Sequence, residues 1–114
     1  MLRAEVWLIN LDPTVGPEIR KTRPAVIVSN DSIGTLPLKV IVPITEWKER
    51  FTIAPWLVRI VPSPDNGLDK ASAADAFQVR SVAQQRFVRR LGRLTDAQMV
   101  EIVQALATVL AIES

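Results

Sequence analysis

Cysteine and histidine are both missing from this 114-residue chain, and each absence excludes chemistry. Without cysteine there is neither a disulfide framework nor a thiolate metal site. Without histidine, any reaction must run with no imidazole as base or metal ligand. The twelve acidic residues are scattered and show no close ligand spacing, so no metal and no cofactor is expected. Long apolar runs are missing too: none reaches the roughly eighteen residues that a bilayer span needs. The opening MLRAEVW carries Glu5 where a signal peptide would need its apolar stretch. A soluble cytoplasmic protein without a membrane partner is the expectation.

Hydrophobic residues make up 48% of the chain, enough for a packed core or a dimer face and too many for disorder. The length favours one domain over residues 1–114. Net charge is only +2, but its distribution is uneven. Arg80, Arg86, Arg89, Arg90 and Arg93 fall within fourteen residues, with Phe87 among them. Such a cluster is either a solvated, partly paired surface or a strip that meets phosphates.

Residues 5–12, 24–30, 38–47 and 56–61 read as strands, rich in Val, Ile, Leu and Trp and bounded by Pro, Gly, Asn and Asp. Residues 70–82, KASAADAFQVRSV, read as a longer alternating segment, with Asp75, Phe77 and Val79 on one face and Ala76, Gln78 and Arg80 on the other. Residues 86–91 add a short strand. Short strands in succession predict a small barrel or sandwich. The C-terminus alone reads as helix. Thr95 followed by Gln98 is a capping-box pattern, with Asp96 favourable in the first turn. Met99, Ile102, Val103, Leu106, Val109 and Leu110 form an apolar stripe at helical spacing, wide enough to serve both the core and a partner subunit. The loops at 13–22, 31–37, 48–55 and 62–69 are long for so small a chain, and long loops often carry function.

The first thirty residues carry the chemistry. EVWLINLD and RPAVIVSN flank a Pro- and Gly-punctuated loop, PTVGPEIRKT, that holds Glu18, Arg20 and Lys21. Pro24 biases Arg23 toward extended geometry, where a loop enters a strand and the sheet can aim its guanidinium. A fixed cation beside a carboxylate suits work on a phosphodiester.

The chain resembles the MazF/PemK (Kid-like) family of toxin–antitoxin endoribonucleases. The matching pieces are residues 5–31, VIVPIT at 40–45, AFQVRSV at 76–82 and RFVRRLGRLTDAQMVEIVQALATVLAI at the end. Together they cover nearly the whole chain in order. The resemblance implies a mainly β fold, a small SH3-like barrel of the CcdB/PemK kind with a C-terminal helix, assembled as a homodimer. It also implies metal-independent, sequence-specific cleavage of single-stranded RNA, inhibited by a cognate MazE-like antitoxin lying over the RNA groove. The family's catalytic arginine before proline falls on Arg23, its active-site threonine on Thr45, and its loop glutamate on Glu18. One position departs: some members carry an acid just before the Gln of Gln-X-Arg, where this chain has Phe77. Asp75 lies two residues earlier, and whether it substitutes is open.

The residues fit the reaction that the resemblance implies. RNA cleaves itself when its 2′-hydroxyl attacks the adjacent phosphate, leaving a cyclic phosphate and a 5′-hydroxyl. Arg23 supplies planar donors and a permanent charge for the crowded phosphate. Its high pKa makes it a poor proton donor, so electrostatic stabilisation comes before general acid. Thr45 can bond a phosphate oxygen or orient the 2′-hydroxyl. Glu18 is the candidate base, or else orients Arg23 or Arg20. Unstacked bases are read on apolar and aromatic side chains and at their edges. Trp47, Phe51 and Trp56 around the 48–55 loop are candidates, with Asn30 and Gln78, and Arg20, Lys21 and Arg80 as phosphate contacts. Trp56 and Phe77 are equally readable as core, and Trp7 as core rather than contact.

Two other functions compete. A CcdB-like gyrase-binding toxin shares the expected barrel but acts on a protein, and has no need of the GPEIRKTRP loop with Thr45. A non-catalytic family member would bind antitoxin or RNA without cutting, and Phe77 is the residue that favours it.

Overall fold

A computed structural model describes residues 1–113 of the chain. Seven strands run as β1 (Glu5–Asn10), β2 (Thr22–Ile27), β3 (Leu38–Glu46), β4 (Leu57–Ile60), β5 (Ser72–Asp75), β6 (Arg80–Ala83) and β7 (Phe87–Arg93), and the chain ends in helix α1 (Asp96–Leu110). All pairings are antiparallel, in the order β4-β5-β3-β2-β1-β7, with β6 joined to β3. β3 is the hub. One of its edges pairs with β2; the other pairs first with β6 along Leu38–Ile41 and then with β5 along Ile44–Glu46.

That arrangement corrects the reading of 70–82 as one alternating strand. The segment does track β3 throughout, but a 3₁₀ turn at Ala76–Gln78 breaks it into β5 and β6. Asp75 causes the break: its carboxylate accepts the Phe77 N–H at 3.1 Å, the local side-chain-to-backbone bond that competes with a ladder. Asp75, Phe77 and Val79 therefore do not share a face, and Phe77 stands 66% exposed. The mainly β fold with a C-terminal helix is the expected one, although its barrel is not closed. The sheet curls strongly but stays open, with β4 and β7 as its ends.

Curling explains why AVIV at 25–28, in and just after β2, is an apolar run rather than an alternation: both faces of the sheet are buried. Val26 and Val28 face a core with Val42, Ile44, Val58, Ile60 and Ala74, closed by Met99, Ile102 and Ala105 of α1. Ala25 and Ile27 face a second core with Ile9, Leu11, Ile41 and Val82, flanked by Trp7, Ile19 and Phe87. Trp7 packs edge-on against Phe87 with ring centroids 5.5 Å apart. Each fully buried Ile or Val is worth about 1.5–3 kcal/mol over its exposed state.

The helix begins as its sequence indicates. Thr95 Oγ1 accepts the Gln98 N–H at 3.1 Å, and Gln98 Oε1 accepts the Thr95 N–H at 2.8 Å. Its inner face is Met99, Ile102 and Ala105, whereas Val100, Val103 and Leu110 are exposed. The apolar stripe is thus wider than the surface one sheet covers.

Candidate active site

Arg23 and Thr45 come together because β2 and β3 are neighbours in register. Ala25 pairs with Pro43. Carried two residues further, that register sets Arg23 level with Thr45. Both line a cavity of about 650 Å³ whose floor is Leu8 and Pro24 and whose far wall is the 67–70 segment with Arg89 and Leu91. Four cations (Arg23, Lys48, Lys70 and Arg89) face two carboxylates, Glu46 and Asp69, so the cavity is net positive. Lys70 Nζ and Glu46 Oε2 form an exposed pair at 3.4 Å. The Arg23 side chain is exposed, and its Nε donates to the Arg20 carbonyl at 3.3 Å.

The far wall is held by two glycines. A Cβ on Gly67 would stand 2.2 Å from the Leu91 carbonyl oxygen, and one on Gly92 would stand 2.2 Å from the Asp65 carbonyl oxygen. Gly67 also has φ +69°, a conformation that favours glycine. The loop folds around buried Asn66, whose Oδ1 accepts from the N–H groups of Ser63 and Leu68, each at 3.0 Å. Its Nδ2 donates to the Val61 carbonyl at 2.9 Å. The dipeptide Asn66-Gly67 is a signal from which this turn could have been found in the sequence. That the loop would dock on β7 had no local signal.

Glu18 lies elsewhere, in a second cavity of about 540 Å³ shared with Pro43, Phe77, Gln78 and Arg80. Pro43 and Thr45 are two residues apart on β3, so the two cavities are adjacent along that strand. Glu18 Oε1 accepts the Val15 N–H at 2.6 Å within its own loop. Gln78 is a brace: its Oε1 accepts the Ile19 N–H at 2.5 Å, and its Nε2 donates to the Pro17 carbonyl at 3.4 Å and Asp75 Oδ2 at 3.3 Å. Burial raises the Asp75 pKa above its ordinary value, and the bonds from Phe77 N–H and Gln78 only partly offset it. Arg20 and Lys21 are exposed on the loop between the cavities and β2. Asn30 stands apart, its Oδ1 accepting the Ser32 N–H at 2.8 Å to cap the 31–33 turn.

Just past Thr45, an aromatic ladder extends from the cavity. The Arg59 guanidinium lies 5.4 Å from the Trp47 ring, Trp47 meets Phe51 edge-on at 5.8 Å, and Arg50 lies 5.4 Å from the Phe51 ring. Trp47 Nε1 is buried without a hydrogen-bond partner among the described residues. Trp56 and Phe77, expected as core if not contacts, form a separate exposed edge-on pair at 6.1 Å.

The arginine cluster is mostly not a free strip. Arg80 Nη1 donates to the Leu11 carbonyl at 3.1 Å, Arg86 binds the Asn10 and Asp12 carbonyls, and Arg93 binds the Arg3 carbonyl at 3.3 Å. Arg90 pairs with Glu5 at 3.3 Å. Burial opposes the charge on Glu5, yet bonds from the Leu2 and Trp7 N–H groups and the field of Arg90 hold its pKa below the ordinary value. The Arg89 side chain alone of the five has no hydrogen-bond or ion-pair partner among the described residues, and Arg89 is the one that lines the Arg23 cavity.

Residues 2–110 match the family of PemK-like, MazF-like toxins of type II toxin–antitoxin systems. The chain belongs to the PemK/MazF toxin family. It is 33% identical to Endoribonuclease MazF9 of Mycobacterium tuberculosis, over 93% of this chain and 92% of that protein. It is 31% identical to Endoribonuclease PemK of Escherichia coli, over 96% of this chain and 82% of that one. The fold matches an endoribonuclease solved with its cognate antitoxin from a mycobacterial species, with a TM-score of 0.78 and 26% identity over 100% of this chain and 98% of that chain. No group of three or more carboxylates stands close enough to hold a metal ion among the described residues. No described helix is long and apolar enough to cross a membrane.

Proposed function

We propose that this chain is the toxin of a type II toxin–antitoxin pair and an endoribonuclease that cuts single-stranded RNA by driving the 2′-hydroxyl onto its neighbouring phosphate. The observation that carries this reading is the meeting of Arg23 and Thr45 in one net-positive cavity. Arg23 stabilises the charge that develops on the phosphate, where one preorganised donor contributes about 2.7–4 kcal/mol. Thr45 bonds a phosphate oxygen or holds the 2′-hydroxyl. Glu18 takes the 2′ proton as the 2′ oxygen bonds to phosphorus; the bond from phosphorus to the 5′ oxygen breaks, and that oxygen leaves as a hydroxyl with a proton from water. The Glu18 cavity adjoins that of Arg23 across Pro43, so RNA lying along β3 passes both. Neither step calls for a metal or cofactor.

Bases leaving the stack would rest on Trp47 and Phe51, whose flanking arginines add cation–π attraction. Gln78 acts through the loop that it braces. The toxin works as one domain in the cytoplasm, as a homodimer that shares the exposed part of the α1 stripe. A cognate antitoxin competes with RNA for the cationic cavity.

Incubating the purified chain with a long RNA in EDTA and mapping the cut ends tests this reading. Fragments ending in 2′,3′-cyclic phosphate and 5′-hydroxyl are expected. Uncut RNA, or cutting only with added magnesium, would overturn it. Uncut RNA that still binds would favour the non-catalytic family member.

A further inference from the structure

We infer that Arg89 is a second phosphate-binding residue, holding a phosphate next to the one on which Arg23 acts. This rests on the RNA-cleavage reading and adds to it a residue that the motif comparison left out. Leu8 pairs with Pro24 on one side and with Arg89 on the other, so Arg89, Leu8 and Pro24 form one row across β7, β1 and β2. Two strand spacings, about 10 Å, separate the backbone of Arg89 from that of Pro24. Arg23, the chain neighbour of Pro24, lines the same cavity as Arg89, and apolar Leu8 and Pro24 complete that part of its lining. Two cations so placed suit two phosphates of one strand better than a single phosphate.

The fate of the other arginines sharpens the assignment. Arg80, Arg86, Arg90 and Arg93 are tied to carbonyls or to Glu5, whereas Arg89 is exposed and faces the cavity. A guanidinium with its donors free is ready to clamp a phosphate. Removing an interaction made equally in ground and transition states raises KM and leaves kcat alone. Arg89 is thus a positioning contact, separable from Arg23.

The test is binding of a fully 2′-O-methylated single-stranded RNA, which has no nucleophile, to the full chain across a salt series. Cleavage of unmodified RNA is measured separately. Arg89→Ala should weaken binding about tenfold, the worth of a charge-assisted hydrogen bond. It should also lower the slope of log affinity against log salt by about 0.7, one phosphate on a single strand. Arg89→Lys should restore the slope, and Arg90→Ala should leave it unchanged. On unmodified RNA, Arg89→Ala should raise KM with kcat nearly constant. A wild-type slope in folded Arg89→Ala, an equal loss in Arg90→Ala, or no binding by the wild type overturns the inference. A wild type that binds the probe but leaves unmodified RNA intact overturns the cleavage reading instead, and the Arg89 assignment then stands or falls on the slope.

Discussion

Gln78 Oε1 accepts the Ile19 N–H at 2.5 Å across a separation of 59 residues, tying the loop after β1 to the turn between β5 and β6. The loop that carries Glu18, Arg20 and Lys21 is therefore held from outside. Removing the bond should free it. A hydrogen bond of this kind contributes about 0.5–1.5 kcal/mol, so Gln78→Ala should speed amide exchange at Ile19 by up to roughly tenfold. The amides of β2 and β3 should keep their protection. Unchanged exchange at Ile19 would show that Gln78 does not hold the loop.

Asp75 makes the brace sensitive to pH. Its pKa is raised, so the folded state binds its proton more tightly than the unfolded chain does. That contribution to stability is fully present below the unfolded value, about 3.9, and is lost as pH rises through the raised folded value. Asp75→Asn keeps an acceptor for the Phe77 N–H and carries no charge to desolvate. The variant should lose less stability than the wild type between about pH 4 and neutrality. Parallel denaturation curves for the two proteins across that range would contradict the burial of Asp75.

Most of the strand plan could be read from the sequence, because Val- and Ile-rich runs bounded by turn residues identify strands without tertiary help. The capping box Thr95–Gln98 was legible for the same local reason. What could not be read depends on long-range placement. The break at 76–78 turns on one carboxylate reaching one N–H, and alternation alone does not register that. Arg80, Arg86, Arg90 and Arg93 looked like a strip because their carbonyl and Glu5 partners are distant in sequence. The entry of Arg23 into β2 was legible from its place before Pro24. That Arg89 of β7 would line the same cavity depends on the β7-β1-β2 row, which the sequence does not show.

Gly92 should tolerate no side chain. A Cβ there would stand 2.2 Å from the Asp65 carbonyl oxygen, which is fixed by its own bond from the Arg93 N–H at 2.7 Å. Gly92→Ala should cost about 1–3 kcal/mol, as overpacking usually does, and lower the urea midpoint. A wild-type midpoint would show that the 62–69 loop yields easily and does not fix the cavity wall.

Arg23→Ala should slow cleavage by roughly 10²–10³, the usual loss for one preorganised donor. Arg23→Lys should recover only part, since the charge stays and the planar fork goes. Thr45→Val removes the hydroxyl at nearly constant shape and should slow cleavage as well. Single-turnover rates on proteins of matched thermal stability provide the check. A wild-type rate in either Arg23→Ala or Thr45→Val removes that residue from the mechanism.

The central claim is that the Arg23–Thr45 cavity drives the RNA's own 2′-hydroxyl onto the phosphate. The most direct measurement is the cleavage rate of an RNA carrying one 2′-deoxy nucleotide at a mapped cut site, beside the all-ribose strand. Loss of cutting at that position alone, with the other cut sites unaffected, is the predicted result. Cutting there at the all-ribose rate would contradict it, because the nucleophile would then come from somewhere other than the substrate.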